Sequence, residues 1–298
     1  MQSVENRTFA FMISWTGDSV RGTATLQRQR SRVWAVANQK GGVGKTTTVS
    51  TLAGELVGRG RRVLMVDLDP HGSLTAWFGR DPDAQGPSVY GLFQVARAGE
   101  RPDGRRQLIA TDIEGLDLMP ASTAQATLDR QVAGIEGMGL VLGQALAPLQ
   151  ATHDVILLDC PPMLGVLMVN ALAACDRLII PVQTEFLAIK GLERMLRTLA
   201  MIRRSRGEVV DHLIVPTLYD QRTRASRDTL AMLRERWPEA LWDDRIPVDT
   251  RFRDASRRGL PLSLWQPQSR GAQAYARLAD ALLETAAGAE ADERRAAV

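Results

Sequence analysis

Asn38-Gln39-Lys40-Gly41-Gly42-Val43-Gly44-Lys45-Thr46-Thr47 is the stretch that decides the fold. An apolar run over 33–38 leads into it, and a helical pattern over 46–57 leads out. Glycine at 41, 42 and 44 lets the backbone turn tightly and aim successive N–H groups at one point. The helix start adds partial positive charge to the same place. A strand, a glycine loop ending in Gly-Lys-Thr and a helix, in that order, make a phosphate-binding loop. Lys45 then reaches the β- and γ-phosphates of a nucleotide, and the Thr46 hydroxyl is placed for Mg²⁺. A glycine turn of purely structural purpose is the plain alternative, but it requires neither that order nor a lysine.

Lysine is informative in this chain. Of its 37 basic residues only Lys40, Lys45 and Lys190 are lysine; the other 34 are arginine. Against that bias a lysine marks a place where a compact ammonium is wanted rather than a guanidinium. The same bias weakens any argument from a single arginine.

The 298 residues are 45% hydrophobic and 24% charged, with a net charge of +3. These values exclude a wholly disordered chain, a collagen-like fibre and a coiled-coil rod. No apolar run approaches the roughly 20 residues that cross a bilayer. The N-terminal stretch lacks a basic start followed by an apolar core and a cleavage site, so no secretion is expected. Cys160 and Cys175 are too few for a disulfide framework or a structural zinc site and read as reduced cytosolic thiols.

Apolar runs at 33–38, 63–69, 155–159, 178–182, 213–218 and a short one ending near Val248 alternate with helical patterns. Those patterns cover 46–57, 140–149, 187–203, 227–236 and 271–285. Continuous Val/Ile/Leu runs indicate strands buried on both faces, as in parallel sheets. The expected fold is therefore α/β: a doubly wound, mostly parallel sheet flanked by helices. Segments 108–113 and 116–119, joined by Glu114-Gly115, suggest a hairpin or edge strand. Residues 1–31 read as a flexible extension or an over-long gene start, 32–286 as one domain, and 287–298 as a charged tail, frayed or disordered.

The loop departs from the common phosphate-loop pattern by carrying Gln39 first and then Lys40. In this it resembles the deviant Walker A ATPases, the ParA/MinD family of P-loop NTPases, whose signature KGGVGKT stands intact at 40–46. The resemblance implies ATP and Mg²⁺ as cofactors, with Lys40, Gly41, Gly42, Val43, Gly44, Lys45, Thr46 and Thr47 around the nucleotide. It implies that Lys40 reaches across a dimer to the partner's ATP. Val63–Asp69 followed by Pro70-His71-Gly72-Ser73 is similar to the family's second motif, where Asp69 positions the attacking water and Asp67 supports the metal and the switch region. His71 and Ser73 replace the usual Gln and Asn. The 156–162 stretch resembles the Walker B strand, so Asp159 joins Thr46 at Mg²⁺. Segments 181–185 and 217–220 resemble parts of the nucleotide and dimer face, and base contacts are expected at 247–250, Pro247 included.

No second catalytic motif stands out, so ATP turnover reads as the switch itself. The resemblance implies an ATP-bound homodimer, nonspecific binding to nucleoid DNA, and a ParB-like or chemotaxis-associated stimulating protein. Candidate DNA contacts are Arg203, Arg204, Arg222, Arg224, Arg227, Arg257 and Arg258, the alternative being solvated helix faces. Cargo would be a plasmid, a chromosome or, from Asp69–Thr75 with Trp77-Phe78-Gly79, a chemotaxis array. A MinD-like membrane role needs an amphipathic C-terminal helix, and 286–298 offers no large apolar face. A metabolic ATP-dependent enzyme on the same fold is the other alternative.

Overall fold

The computed structural model describes residues 31–206 and 210–296. The expected extension before Ser31 lies outside the described residues. Seven strands form among them: β1 (Arg32–Val36), β2 (Val63–Asp67), β3 (Ile109–Ala110), β4 (Leu116–Met119), β5 (Val155–Asp159), β6 (Arg177–Gln183) and β7 (Asp211–Thr217). They make one sheet in the order β3-β4-β2-β5-β1-β6-β7. Every neighbouring pair is parallel except β3–β4, which is antiparallel.

Side chains alternate across each strand, and both faces are buried. Val33, Ala35, Ile156 and Leu158 face one core with the helices α3 (Val89–Arg97), α5 (Val141–Leu146), α6 (Val166–Ala174) and α7 (Phe186–Arg206). Trp34, Val36, Val155 and Leu157 face the other with α1 (Lys45–Gly58), α2 (Ser73–Trp77), α9 (Arg251–Arg257), α10 (Leu262–Trp265) and α11 (Arg270–Ala296). The short α4 (Leu128–Gln131) and the longer α8 (Arg224–Arg236) complete the helices used below. This two-sided burial is the physical content of the unbroken apolar runs, and it is the doubly wound sheet the runs imply.

Some elements differ from the sequence reading. The expected strand near Val248 is reduced to single bridges, Tyr219–Pro247 and Ile214–Leu241. Pro247 has no N–H to continue a ladder. The helix expected over 140–149 is α5 followed by a 3₁₀ stretch at Ala147–Ala151, where Pro148 interrupts the helical bonding. α6 gave no signal because it is apolar all round: Val166 to Leu172 are all buried, so no amphipathic period exists to be read. α11 runs past 285 to Ala296, as its alanines, glutamates and arginines favour.

The one polar side chain inside α6 ties two helices together. Asn170 is fully buried; its Oδ1 accepts from the Leu142 N–H at 2.9 Å, and its Nδ2 donates to the Met138 and Val166 carbonyls at 2.7 and 2.8 Å. Asn170→Ala should cost about 2–3 kcal/mol, because buried backbone groups lose their partners. Urea unfolding checks this, and a loss below about 0.5 kcal/mol would show that these bonds carry no net weight.

Candidate nucleotide site

β1, β5 and β2 end in one row: Val36 is in register with Asp159, and Asp159 with Asp67. Three loops leave the sheet side by side at this carboxyl end, where open α/β sheets place ligands. The first is the phosphate loop. Gly42 and Gly44 have φ of 74° and 91°, left-handed values that residues with a Cβ rarely adopt. A Cβ built on Gly41, Gly42 or Gly44 would meet nothing within 4 Å, so open space lies over the loop.

The loop is pinned from the strands and helices around it. Asn38 Nδ2 donates to the Pro181 carbonyl at 2.8 Å, and its Oδ1 accepts from the Lys40 N–H at 2.9 Å. Thr217 Oγ1, at the end of β7, donates to the Val43 carbonyl at 2.8 Å. Thr48 Oγ1 donates to the Gly44 carbonyl at 2.7 Å and shares a 2.8 Å bond with the Tyr275 hydroxyl of α11. Lys45 is buried, its ammonium 3.4 Å from the Lys40 carbonyl.

Two buried carboxylates face this loop. Asp159 Oδ2 accepts from Thr46 Oγ1 at 2.7 Å, while its Oδ1 is buried with no hydrogen-bond partner among the described residues. Burial holds the Asp159 carboxyl well above the usual range, and the charge of Asp67 adds to that, against Thr46 and Lys45. Asp67 is also raised, first by burial, with its bonds to Thr75 pulling the other way. Its oxygens are taken: Oδ2 accepts from the Thr75 N–H and Oγ1 at 2.8 and 2.7 Å, and Oδ1 from the Asp69 N–H at 3.2 Å. Asp67 therefore braces α2 and the loop before it, while Asp159 keeps an oxygen free.

These donors fit Mg²⁺. The Thr46 hydroxyl and Asp159 are hard oxygen ligands, one with an orphaned atom, and Mg²⁺ characteristically shares itself between one or two protein oxygens, phosphates and water. No group of three or more His, Cys, Asp or Glu forms a metal cage by itself among the described residues.

Asp69 lies just beyond Asp67, and its Oδ1 accepts from the His71 N–H at 3.0 Å and sits 2.9 Å from His71 Nδ1. His71, which reads in the sequence as a mere loop variation, thus touches the candidate catalytic carboxylate. Lys40 is held by two residues the sequence did not single out individually. Its ammonium lies 3.1 Å from Gln183 Oε1 and 3.5 Å from Glu185 Oε2.

A cavity of about 220 Å³ opens beside the loop, lined by Gly44, Thr47, Leu218, Val248, Thr250 and Tyr275 among others. Leu218 has φ 51°, a strained value for a residue with a Cβ. Val248, Asp249 and Thr250 line this cavity, while Pro247 is bridged to Tyr219 and lines a neighbouring cleft.

The candidate DNA arginines that are described have differing surroundings. Arg222 is paired with Asp220 at 2.7 Å, holding that carboxyl down to about 2, and Arg224 with Asp228 at 3.2 Å. Arg227 Nη1 donates to the Gln221 carbonyl at 2.7 Å. Arg257 is exposed, and Arg258 stacks on Trp265 at 4.7 Å. Arg203 and Arg204 are in α7, but their side chains lie outside the described residues.

Among the described residues the Lys45 ammonium makes one hydrogen bond, to a loop carbonyl, so removing it should spare the fold. Lys45→Ala should weaken ATP binding by about 100-fold or more, since it deletes the charge facing the phosphates. A fluorescent-nucleotide titration reads this, and near-normal affinity would show that Lys45 does not contact them.

The AAA domain family matches residues 31–211. The sporulation initiation inhibitor protein Soj of Bacillus subtilis is 33% identical over 249 residues, covering 83% of this chain and 96% of Soj. The chromosome partitioning protein ParA of Caulobacter vibrioides is 35% identical over 254 residues, covering 83% of this chain and 92% of ParA. A solved structure of cobyrinic acid a,c-diamide synthase from Mycobacterium smegmatis, with bound ADP and magnesium, is 39% identical. It superposes with a TM-score of 0.72 and covers 85% of this chain and 94% of that one. With matches spanning nearly the whole of each relative, and a phosphate loop set at the carboxyl end of a parallel sheet, the chain belongs to the ParA/MinD family of P-loop ATPases.

Proposed function

We propose that this ATPase is a switch: ATP binding drives homodimerisation, the dimer holds duplex DNA without regard to sequence, and hydrolysis resets it. Its cargo is a plasmid, a chromosome or a chemotaxis array, and a ParB-like or chemotaxis-associated protein stimulates turnover on the nucleoid. The observation that carries the reading is apolar surface at the mouth of the nucleotide site. Met163 and Leu164 follow the Asp159 loop and are 75% and 40% exposed; Phe186 and Leu187, which open α7, are 64% and 66% exposed. Large apolar side chains exposed where two loops leave the sheet call for a cover. A second copy bearing the same patch supplies one.

Within the site each residue has a separate task. The loop N–H groups and Lys45 bind the phosphates, the Thr46 hydroxyl and Asp159 hold Mg²⁺, and Asp69 orients the attacking water. Bound Mg²⁺ would neutralise phosphate charge as it develops. Asp67 keeps Asp69 in place through the Asp69 N–H and through α2. Lys40 serves the second copy's nucleotide.

DNA binding draws support from a cleft of about 400 Å³ whose lining includes four arginines and two carboxylates. Asp220 is paired with Arg222 and Asp244 with Arg277, while Arg245 stacks on Tyr219 and Arg270 stands beside them. Guanidinium groups in excess over carboxylates suit a phosphate backbone, which is bound through charge and carries no base information. The 39% identity to a cobyrinic acid a,c-diamide synthase favours a second reading, an ATP-dependent enzyme with a small-molecule acceptor.

Asp69→Ala should keep ATP binding, lose hydrolysis and leave the protein dimeric with ATP, as read by light scattering. Hydrolysis at the normal rate would remove Asp69 from the water-positioning role. A mobility-shift titration with Mg²⁺ and ATP decides between switch and synthase. The wild-type protein should shift unrelated duplexes equally, and Arg245→Glu with Arg270→Glu should weaken this about tenfold or more and flatten its salt dependence. No shift even at low salt, with ATP consumed only beside a small acceptor, would establish the synthase instead.

A further inference from the structure

Lys40 is part of the phosphate loop, yet its ammonium is turned into its own chain. It meets Gln183 Oε1 at 3.1 Å and Glu185 Oε2 at 3.5 Å. Gln183 Nε2 in turn donates to Glu185 Oε1 at 2.6 Å, closing a ring of three side chains between the loop and the turn that joins β6 to α7. The backbone leaves Lys40 little choice of position. Its N–H is fixed by Asn38, and Gly191 of α7 approaches so closely that a Cβ there would lie 3.3 Å from the Cβ of Lys40.

The neighbours of this ring give it a purpose. Glu185 directly precedes Phe186 and Leu187, the exposed apolar residues that open α7. Anything that covers those two residues also strips water from Glu185 and from the half-buried Lys40. If the cover is a second copy carrying a nucleotide, its phosphates meet a carboxylate that repels them and an ammonium that is already engaged. Lys40 must exchange a carboxylate for a phosphate before the face can close. We propose that the Lys40–Gln183–Glu185 ring is an autoinhibitory latch: it parks Lys40 in the free chain and raises the nucleotide and protein concentrations at which two copies associate. The inference rests on the reading that Lys40 serves the second copy's nucleotide. The latch is soft by design, since an exposed ion pair is weak. It sets a threshold and does not block association.

The lysine-poor sequence supplies a direct test. Amine-reactive labelling followed by mass spectrometry has only three lysines to report: Lys40, the buried Lys45 and the exposed Lys190, which serves as internal reference. In the full-length nucleotide-free protein, Glu185→Gln should raise labelling of Lys40 relative to Lys190 by about threefold or more. With Mg²⁺ and a non-hydrolysable ATP analogue, the same variant should dimerise at a protein concentration about threefold to tenfold lower than wild type, read by sedimentation velocity. An unchanged Lys40 labelling ratio would show that nothing is latched. Faster labelling with an unchanged or higher dimerisation midpoint would show that the ring does not control association, and either result overturns the proposal. A wild-type protein that stays monomeric with the analogue at every concentration, while Lys40 still labels faster in the variant, overturns the dimer reading itself and leaves the latch without a role.

Discussion

Two carboxyl groups buried side by side are the constraint around which the site is organised. Asp67 and Asp159 end neighbouring strands in register, and both are driven toward their protonated forms, first by lack of water and then by a nearby charge, that of Asp67 at Asp159 and that of Asp69 at Asp67. Ionising both in the free protein is unfavourable, and the burden grows as pH rises from the ordinary carboxylate range to their elevated values. The fold offsets it unevenly. Asp67 receives three hydrogen bonds and becomes a structural brace, while Asp159 receives one and keeps an oxygen unsatisfied. A divalent cation is the natural remedy for that second group, so binding energy at the site is also folding energy.

The phosphate loop has a complementary problem: it must stay open without drifting. Its glycines cannot pack against anything, so its shape comes from bonds made by Asn38, Thr48 and Thr217 to carbonyls and N–H groups at its base. Tyr275 ties the same base to α11, and Leu218 accepts a strained conformation where β7 ends beside the loop. A loop held in advance loses little entropy when phosphates arrive, which is the physical meaning of preorganisation.

Much of this was legible in the residues because buried parallel strands and phosphate loops each leave a dense local record. Val33 to Thr47 contains a strand, a turn and a helix start in one continuous stretch, and 155–159 ends in a lone acid after four apolar residues. What could not be read is long-range or featureless. α6 has no polar face to set a period. The partners of Lys40 lie more than 140 positions away, and nothing local in Gln183 or Glu185 announces them. Thr75 holding Asp67 is nearer, but a threonine in a short helix carries no signal of its own. The arginines were the hardest case. Pairing with Asp220 or Asp228 depends on side-chain reach across a turn, and an arginine-rich composition hides which positions matter.

The two-residue length of β3 has a further consequence, for solubility. An open sheet ends in rows of unpaired backbone groups that can recruit strands from other molecules. On one side this sheet finishes with Ile109–Ala110, too short to template an intruding strand. On the other, β7 is partly covered by the isolated bridges to Leu241 and, just beyond its end, Pro247. Both lateral margins are thus poor sites for runaway strand addition. The proposed pairing of two copies at the sheet's end would therefore carry no risk of fibrils along its sides.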